Sequence, residues 1–150
     1  MTVTESEPLR PVRSLDPSYY TDPAFYQQEL SSLLSQTWQF AGHASQLANI
    51  GDYVTFKIAE QNLFSIRDQN GIIRTFYNVC QHRAHELVLG NENSAEVIKC
   101  PYHAWTYRLD GQLLKGSDIA DVPEFPNAQI CLASVPTEVL CGFVFVNLDP

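Results

Sequence analysis

The chain has 150 residues, 45% of them apolar and 11% aromatic, and a formal charge of −8; this suffices for one domain with its own core and argues against nucleic acid or an anionic membrane as partner, since phosphates are bound by Lys and Arg. No stretch reaches the ~18 consecutive apolar residues of a membrane span and no charged start with an apolar run marks a secretory signal, so a soluble, cytoplasmic protein is expected. In that reducing compartment four cysteines indicate thiol or metal chemistry rather than a disulfide framework.

Residues 1–20 are polar and carry Pro8, Pro11 and Pro17, which reads as an arm that crosses the surface or lacks fixed structure. Thr21-Asp22-Pro23 is a helix start, with an N-cap candidate and a proline in the first turn. Tyr26, Leu30, Leu33, Leu34 and Trp38 follow at three- and four-residue steps. Residues 21–37 are therefore expected to hold one helix, from about Pro23 to Gln36, that packs this stripe on the following domain. From Trp38 onward, short β-branched and aromatic runs alternate with turn residues. Strands are expected near 38–43, 52–58, 62–67, 72–78, 96–99, 105–109, 112–115, 130–135 and 141–147. Asn70-Gly71 and Asp110-Gly111 read as hairpin turns, because both dipeptides tolerate positive φ. Residues 116–128, with Pro123 and Pro126, read as a connection without regular structure. Residues 38–150 thus form one domain, mainly β: an antiparallel β-sheet sandwich preceded by one N-terminal helix.

Two short segments concentrate the chemistry. They are Asn78-Val79-Cys80-Gln81-His82-Arg83-Ala84-His85 and Lys99-Cys100-Pro101-Tyr102-His103-Ala104-Trp105. Together they read C-x-H, then residues 83–99, then C-x-x-H, each where a strand gives way to a loop. In a Rieske centre one iron of a [2Fe–2S] unit takes two Cys thiolates and the other two His nitrogens. Two loops that each supply one Cys and one His meet that demand, with Cys80, His82, Cys100 and His103 as ligands of one cluster. Zinc takes the same donor set in a tetrahedron, and a third reading has merely buried thiols and surface imidazoles. Zinc pairs usually stand two to four residues apart, and C-x-H leaves one between. The paired spacing favours the cluster.

These segments resemble the Rieske domain of the large subunit of ring-hydroxylating-type Rieske non-haem iron oxygenases. The likeness runs from Thr21-Asp22-Pro23 through Trp38 and Gly51-Asp52-Tyr53 to Gly142-Phe143-Val144-Phe145-Val146-Asn147-Leu148-Asp149-Pro150. Cytochrome-complex Rieske proteins match less well: they carry an extra Cys in each loop, joined as a disulfide, and Ala84, His85 and Tyr102 occupy that neighbourhood here. The oxygenase family usually has Gly after the Arg of the first loop, where this chain has Ala84. Many members have Gly after the second His, where it has Ala104. Ala104-Trp105 resembles the branch that acts on quaternary ammonium compounds such as carnitine, choline, glycine betaine or stachydrine, and His85-Glu86-Leu87 points the same way. The resemblance implies a two-loop cluster-binding subdomain. It implies a reductase or ferredoxin as electron donor, and an oxygenase catalytic domain, often of a neighbouring subunit, as acceptor. It also implies a mononuclear iron held by two His and one carboxylate. His43 and His85 are the only His left over and lie far apart, so that site is expected outside this chain, in a C-terminal domain that would begin where the chain ends. High-potential Rieske proteins place a Ser two residues after the second His; here stands Trp105, which implies a potential near the low end of the Rieske range, about −150 mV. Tyr107 matches their tyrosine donor.

Three readings follow: the Rieske domain of an oxygenase, a stand-alone Rieske ferredoxin, and a Cys2His2 zinc-binding module. Trp105 and Tyr107 are expected to pack beneath the cluster and exclude water. His85 reads as an exposed loop residue, His43 as structural, and Arg83 as a docking residue for an acidic partner or a support for an adjoining subunit. Cys131 and Cys141 fall in expected strands and read as buried apolar thiols.

Overall fold

The computed structural model describes residues 13–116 and 129–149. The arm over residues 1–12 and nearly all of the expected connection at 116–128 lie outside the described residues. The expected single helix is broken up. α1 (Ser18–Thr21) is one turn, and α2 (Pro23–Gln28) starts at Asp22, whose carboxylate accepts the Ala24 N–H. From Glu29 to Leu34 the helix widens into a π-helix. Ser31 and Ser32 both donate their hydroxyls to the Gln28 carbonyl, competing with the backbone ladder. The wider turn carries the apolar stripe off register. Leu30 is buried, while Tyr26, Leu33 and Trp38 are about half exposed. The expectation that the whole stripe packs inward is therefore corrected.

Eleven strands follow among the described residues. They are β1 (Gln39–His43), β2 (Asp52–Ile58), β3 (Gln61–Arg67), β4 (Ile73–Tyr77), β5 (Asn91–Asn93), β6 (Val97–Lys99), β7 (Thr106–Arg108), β8 (Leu113–Lys115), β9 (Ser134–Val135), β10 (Thr137–Leu140) and β11 (Phe143–Val146). They pair in three antiparallel sheets, ordered β5-β2-β3-β4-β9, β1-β11-β10 and β6-β7-β8. β3 shows why the first of these is central. Phe64 and Ile66 leave one face of the strand and enter a core with Phe76, Trp105, Tyr107, Leu109, Cys80 and Cys100. Leu63 leaves the other face and joins Ala41, Ile58, Val135, Val144 and Val146 beneath the β1-β11-β10 sheet. This is the period-two alternation of a strand buried on both sides. Each large apolar side chain so buried stabilises the fold by about 1.5–3 kcal/mol. The antiparallel β sandwich with a two-loop subdomain agrees with the sequence reading.

β5 and β10 were not anticipated. Asn91-Glu92-Asn93 is a polar run that pairs only with β2, at a sheet edge, and edge strands tolerate such composition. The expected strand at 141–147 begins instead with a tight turn. Cys141 (φ +51) and Gly142 (φ +82) both take positive φ, the backbone of a two-residue type I′ hairpin between β10 and β11. Cys141 is thereby exposed. Cys131, expected in a strand at 130–135, makes one isolated bridge to Gln112 and is exposed too. Both thiols correct the expectation of buried ones.

The two Gly-containing hairpins share one geometry. In the first, Asp68 N–H donates to Ile72 O (2.8 Å) and Gly71 N–H to Asp68 O (3.0 Å). In the second, Arg108 N–H donates to Gln112 O (2.8 Å) and Gly111 N–H to Arg108 O (3.0 Å). Only the glycine in each has positive φ, +77 and +91. These are three-residue loops closed by a glycine bulge, and not turns in which both residues of the dipeptide are left-handed. At Gly111 an added Cβ would stand 2.6 Å from the Phe76 ring. Gly111→Ala therefore combines left-handed strain with overpacking and is expected to cost about 2–4 kcal/mol. Urea unfolding measures it. A loss below about 1 kcal/mol would show that Phe76 yields freely.

Candidate metal centre

The four candidate ligands lie at the tips of two loops. The first loop joins β4 to β5 and the second is the turn of the β6–β7 hairpin. Their backbones are near copies. Cys80 N–H donates to His85 O (2.8 Å), and Ala84 N–H donates back to Cys80 O (3.0 Å). Cys100 N–H donates to Trp105 O (2.8 Å), and Ala104 N–H to Cys100 O (3.1 Å). In both loops the residue four after the Cys is left-handed: Ala84 at φ +54 and Ala104 at φ +57. These are the two positions where the chain carries Ala in place of glycine. A left-handed alanine costs about 1–2 kcal/mol, so each loop holds its candidate ligands at the expense of local strain.

The loops bring the expected donors together. Cys80 and Cys100 are 2% exposed and belong to the main core, whereas His82 and His103 are half-buried. The imidazole rings of His82 and His103 lie 4.8 Å apart, edge to face. The Cys80 thiol is pushed up from its ordinary pKa by burial, and the neighbouring Cys100 thiol adds to the shift. A buried thiol of this kind resists ionisation unless a cation compensates it, and a bound iron would supply that charge. Two buried thiols and two half-buried imidazoles would give one pair of donors to each iron of a binuclear cluster, so the donor set fits a [2Fe–2S] unit.

Tyr107 ties the second loop to the first. It is fully buried on β7, and its phenol oxygen lies 3.2 Å from Cys80 Sγ. That oxygen also accepts the Gln81 N–H (3.1 Å). Burial, then the hydrogen bond with Cys80, holds the phenol well above its ordinary pKa, so it remains a donor. Trp105 is buried, and its ring stacks on that of His82 at 4.9 Å with only 2° between the planes. Both aromatic residues stand where the sequence placed them, against the candidate ligands Cys80 and His82. His85 and Arg83 are exposed at the tip. His43 is exposed, and its ring accepts the Ser45 N–H (3.2 Å) to cap a short 3-10 turn, a structural role as expected. No residue-type or spacing signal marks Asn78, whose side chain is almost fully buried beside the first loop.

The family model described as the Rieske [2Fe-2S] domain matches residues 37–126, across both loops. The chain belongs to this family. A Rieske domain carries one [2Fe–2S] cluster. This Rieske domain is similar to the carnitine monooxygenase oxygenase subunit of Escherichia coli (strain K12), at 39% identity over 88% of this chain and 35% of that protein. It is similar to the chloroplastic choline monooxygenase of Arabidopsis thaliana, at 34% identity over 97% of this chain and 35% of that protein. A solved structure of a quaternary ammonium Rieske monooxygenase, described for carnitine oxidation and inter-subunit electron transfer, superposes with a TM-score of 0.81. There the identity is 37%, over 88% of this chain and 36% of the other. The chain thus spans about a third of the length of these relatives, and its homology to quaternary-ammonium oxygenases agrees with the resemblance carried by Ala104-Trp105 and His85-Glu86-Leu87.

Glycine at either left-handed position relieves the strain and gives back part of the gain through the looser unfolded chain. Ala84→Gly and Ala104→Gly are each expected to raise stability by about 0.5–1 kcal/mol, read from urea midpoints. A decrease at either position would mean that the methyl group packs favourably enough to outweigh the strain.

Proposed function

We propose that this chain is the electron-relay domain of a larger oxygenase, with Cys80, His82, Cys100 and His103 holding its [2Fe–2S] cluster. A reductase or ferredoxin supplies single electrons. The acceptor is a mononuclear non-haem iron in a catalytic domain outside these 150 residues, in a neighbouring subunit. The oxygenase acts on a quaternary ammonium compound, the class of substrate that the similar proteins' names give. Residues 38–150 are the Rieske unit, and residues 21–37 pack on it. A cytoplasmic location goes with this reading, because free ligand thiols persist in reducing surroundings. Among the described residues no helix is long and apolar enough to cross a membrane.

The observation that carries the proposal is the pairing of two core-buried thiols with two half-exposed imidazoles on loops of one backbone design. When bound, the cluster supplies a one-electron carrier at a potential set by its ligands and their hydrogen bonds. The protein's own groups do the rest. The two thiols anchor the site in the core, and the two imidazoles turn toward the side a partner can approach. The Trp105 ring covers His82 and keeps water from it. Tyr107 directs its proton to Cys80 Sγ, which stabilises added negative charge there. The stand-alone ferredoxin reading shares all of this; similarity to oxygenase subunits about three times as long favours the first.

Purified chain is expected to be red-brown, to hold about two irons and, when reduced, to give a rhombic EPR signal with an average g below that of all-Cys clusters. His82→Ala and Cys100→Ser abolish that signal, and Cys131→Ser and Cys141→Ser leave it. A colourless chain with one tightly bound zinc would exclude the assignment.

Tyr107→Phe removes one hydrogen bond to a ligand sulfur. Losing about 1.4 kcal/mol of preference for the reduced state lowers the midpoint by about 59 mV. Protein-film voltammetry reads the shift; an unchanged or higher midpoint would show that the phenol does not donate to Cys80.

A further inference from the structure

The two ligand loops share a backbone design but not a support. The second loop closes a hairpin whose strands pair directly, Ile98 with Tyr107 and Lys99 with Thr106. The ladder runs up to Cys100 and fixes both ends of that loop. The first loop has no such ladder. β4 pairs with β3 and β9, while β5 pairs with β2, on the far side of β3. The strands that flank Cys80 and His82 therefore never meet.

Asn78 fills the gap. It stands two residues before Cys80 and is 2% exposed. Leu87 N–H and Val88 N–H donate to its Oδ1 at 3.0 and 3.2 Å. Its Nδ2 donates to Val88 O at 2.8 Å and to Glu86 Oε1 at 3.2 Å. Both lone-pair sites and both protons of the amide are thus used. Its own N–H donates to Asn62 O at 2.9 Å, anchoring the residue to β3. One side chain takes the hydrogen bonds that a neighbouring strand would make with residues 87 and 88, and so shuts the 79–86 loop at its base.

We propose that Asn78 is the positioning residue of the first ligand loop: its amide substitutes for the missing strand ladder and holds Cys80 and His82 in place opposite Cys100 and His103. This rests on the cluster reading above. Removing the amide leaves buried backbone groups unsatisfied at 87 and 88. The loop then opens locally while the hairpin that carries the other two ligands stays shut.

The test uses the 150-residue chain without its cluster for amide exchange and with it for chelation. In Asn78→Ala, the amides of Cys80, Ala84, Leu87 and Val88 are expected to exchange roughly tenfold faster or more, and those of Cys100 and Ala104 at the wild-type rate. Iron release to a chelator speeds up by a similar factor, and the EPR line broadens as the first loop's ligands gain freedom. Asn78→Asp keeps both acceptances but cannot make both donations; it shows the same selectivity with a smaller effect. Ser65→Ala is the control for loss of any buried hydrogen bond. It removes the 2.7 Å contact with Thr75 between β3 and β4, and it leaves the EPR line unchanged. Equal acceleration in both loops, in either Asn78 variant, would overturn the inference, since Asn78 would then be a general core residue. So would unchanged exchange and release. A wild-type chain that binds no iron refutes the cluster reading instead, and the exchange experiment still decides the role of Asn78.

Discussion

The hydroxyl of Tyr107 lies between the two ligand loops, 3.2 Å from Cys80 Sγ and 3.1 Å from the Gln81 nitrogen. Tyr107 is itself part of β7, the strand that leaves the second loop. A single buried ring therefore sets the distance between two segments that the chain separates by residues 83–99. Its body packs with Phe64, Phe76 and Leu109, so the position of the hydroxyl follows from the packing of the whole core. A buried phenol of this kind must have a partner. Here the partners are a main-chain amide and the sulfur of a candidate ligand, and the requirement of the core becomes a property of the site.

Burial divides the candidate ligands by type. The thiols sit in the core and the imidazoles at the rim. This arrangement keeps the two sulfurs away from water. It also leaves the imidazole rings on the side where another protein can approach. The overall charge of −8 is relieved at this end by Arg83 and Lys99, both exposed. The stack of Trp105 on His82 gives one of the two rings an apolar cover, and its near-parallel planes restrict the ring's rotation.

The strain in the loops has the same origin. For a Cys to receive a hydrogen bond from the fourth residue after it and to donate to the carbonyl of the fifth, the chain must reverse through a left-handed residue. Ala84 and Ala104 accept that conformation although each carries a Cβ. The second loop spreads the cost over a paired hairpin. The first spreads it over the four hydrogen bonds of one asparagine side chain.

Much of the site was legible in the sequence because ligand chemistry is local. C-x-H and C-x-x-H name the donors by residue type and spacing, and the period-two runs mark most of the strands. Asp22-Pro23 marks the helix start for the same reason, and Gly71 and Gly111 mark turns because few residues accept positive φ. Tertiary structure alone decided the rest. It placed Asn91-Glu92-Asn93 on a sheet edge, where neighbours override a polar composition. It left Cys141 outside, because β10 folds back on β11 through a left-handed Cys141, and it left Cys131 on an isolated bridge to Gln112. It turned the helix at Glu29 into a wider coil, which withdrew Leu33 from the core. It joined Tyr107 to Cys80 and Asn78 to residues 86–88. Such contacts link positions far apart in the chain or faces turned by packing, and neither periodicity nor spacing encodes them. The sequence determined which side chains are the candidates to hold a cluster; the packing of two sheets around β3 decided that they meet.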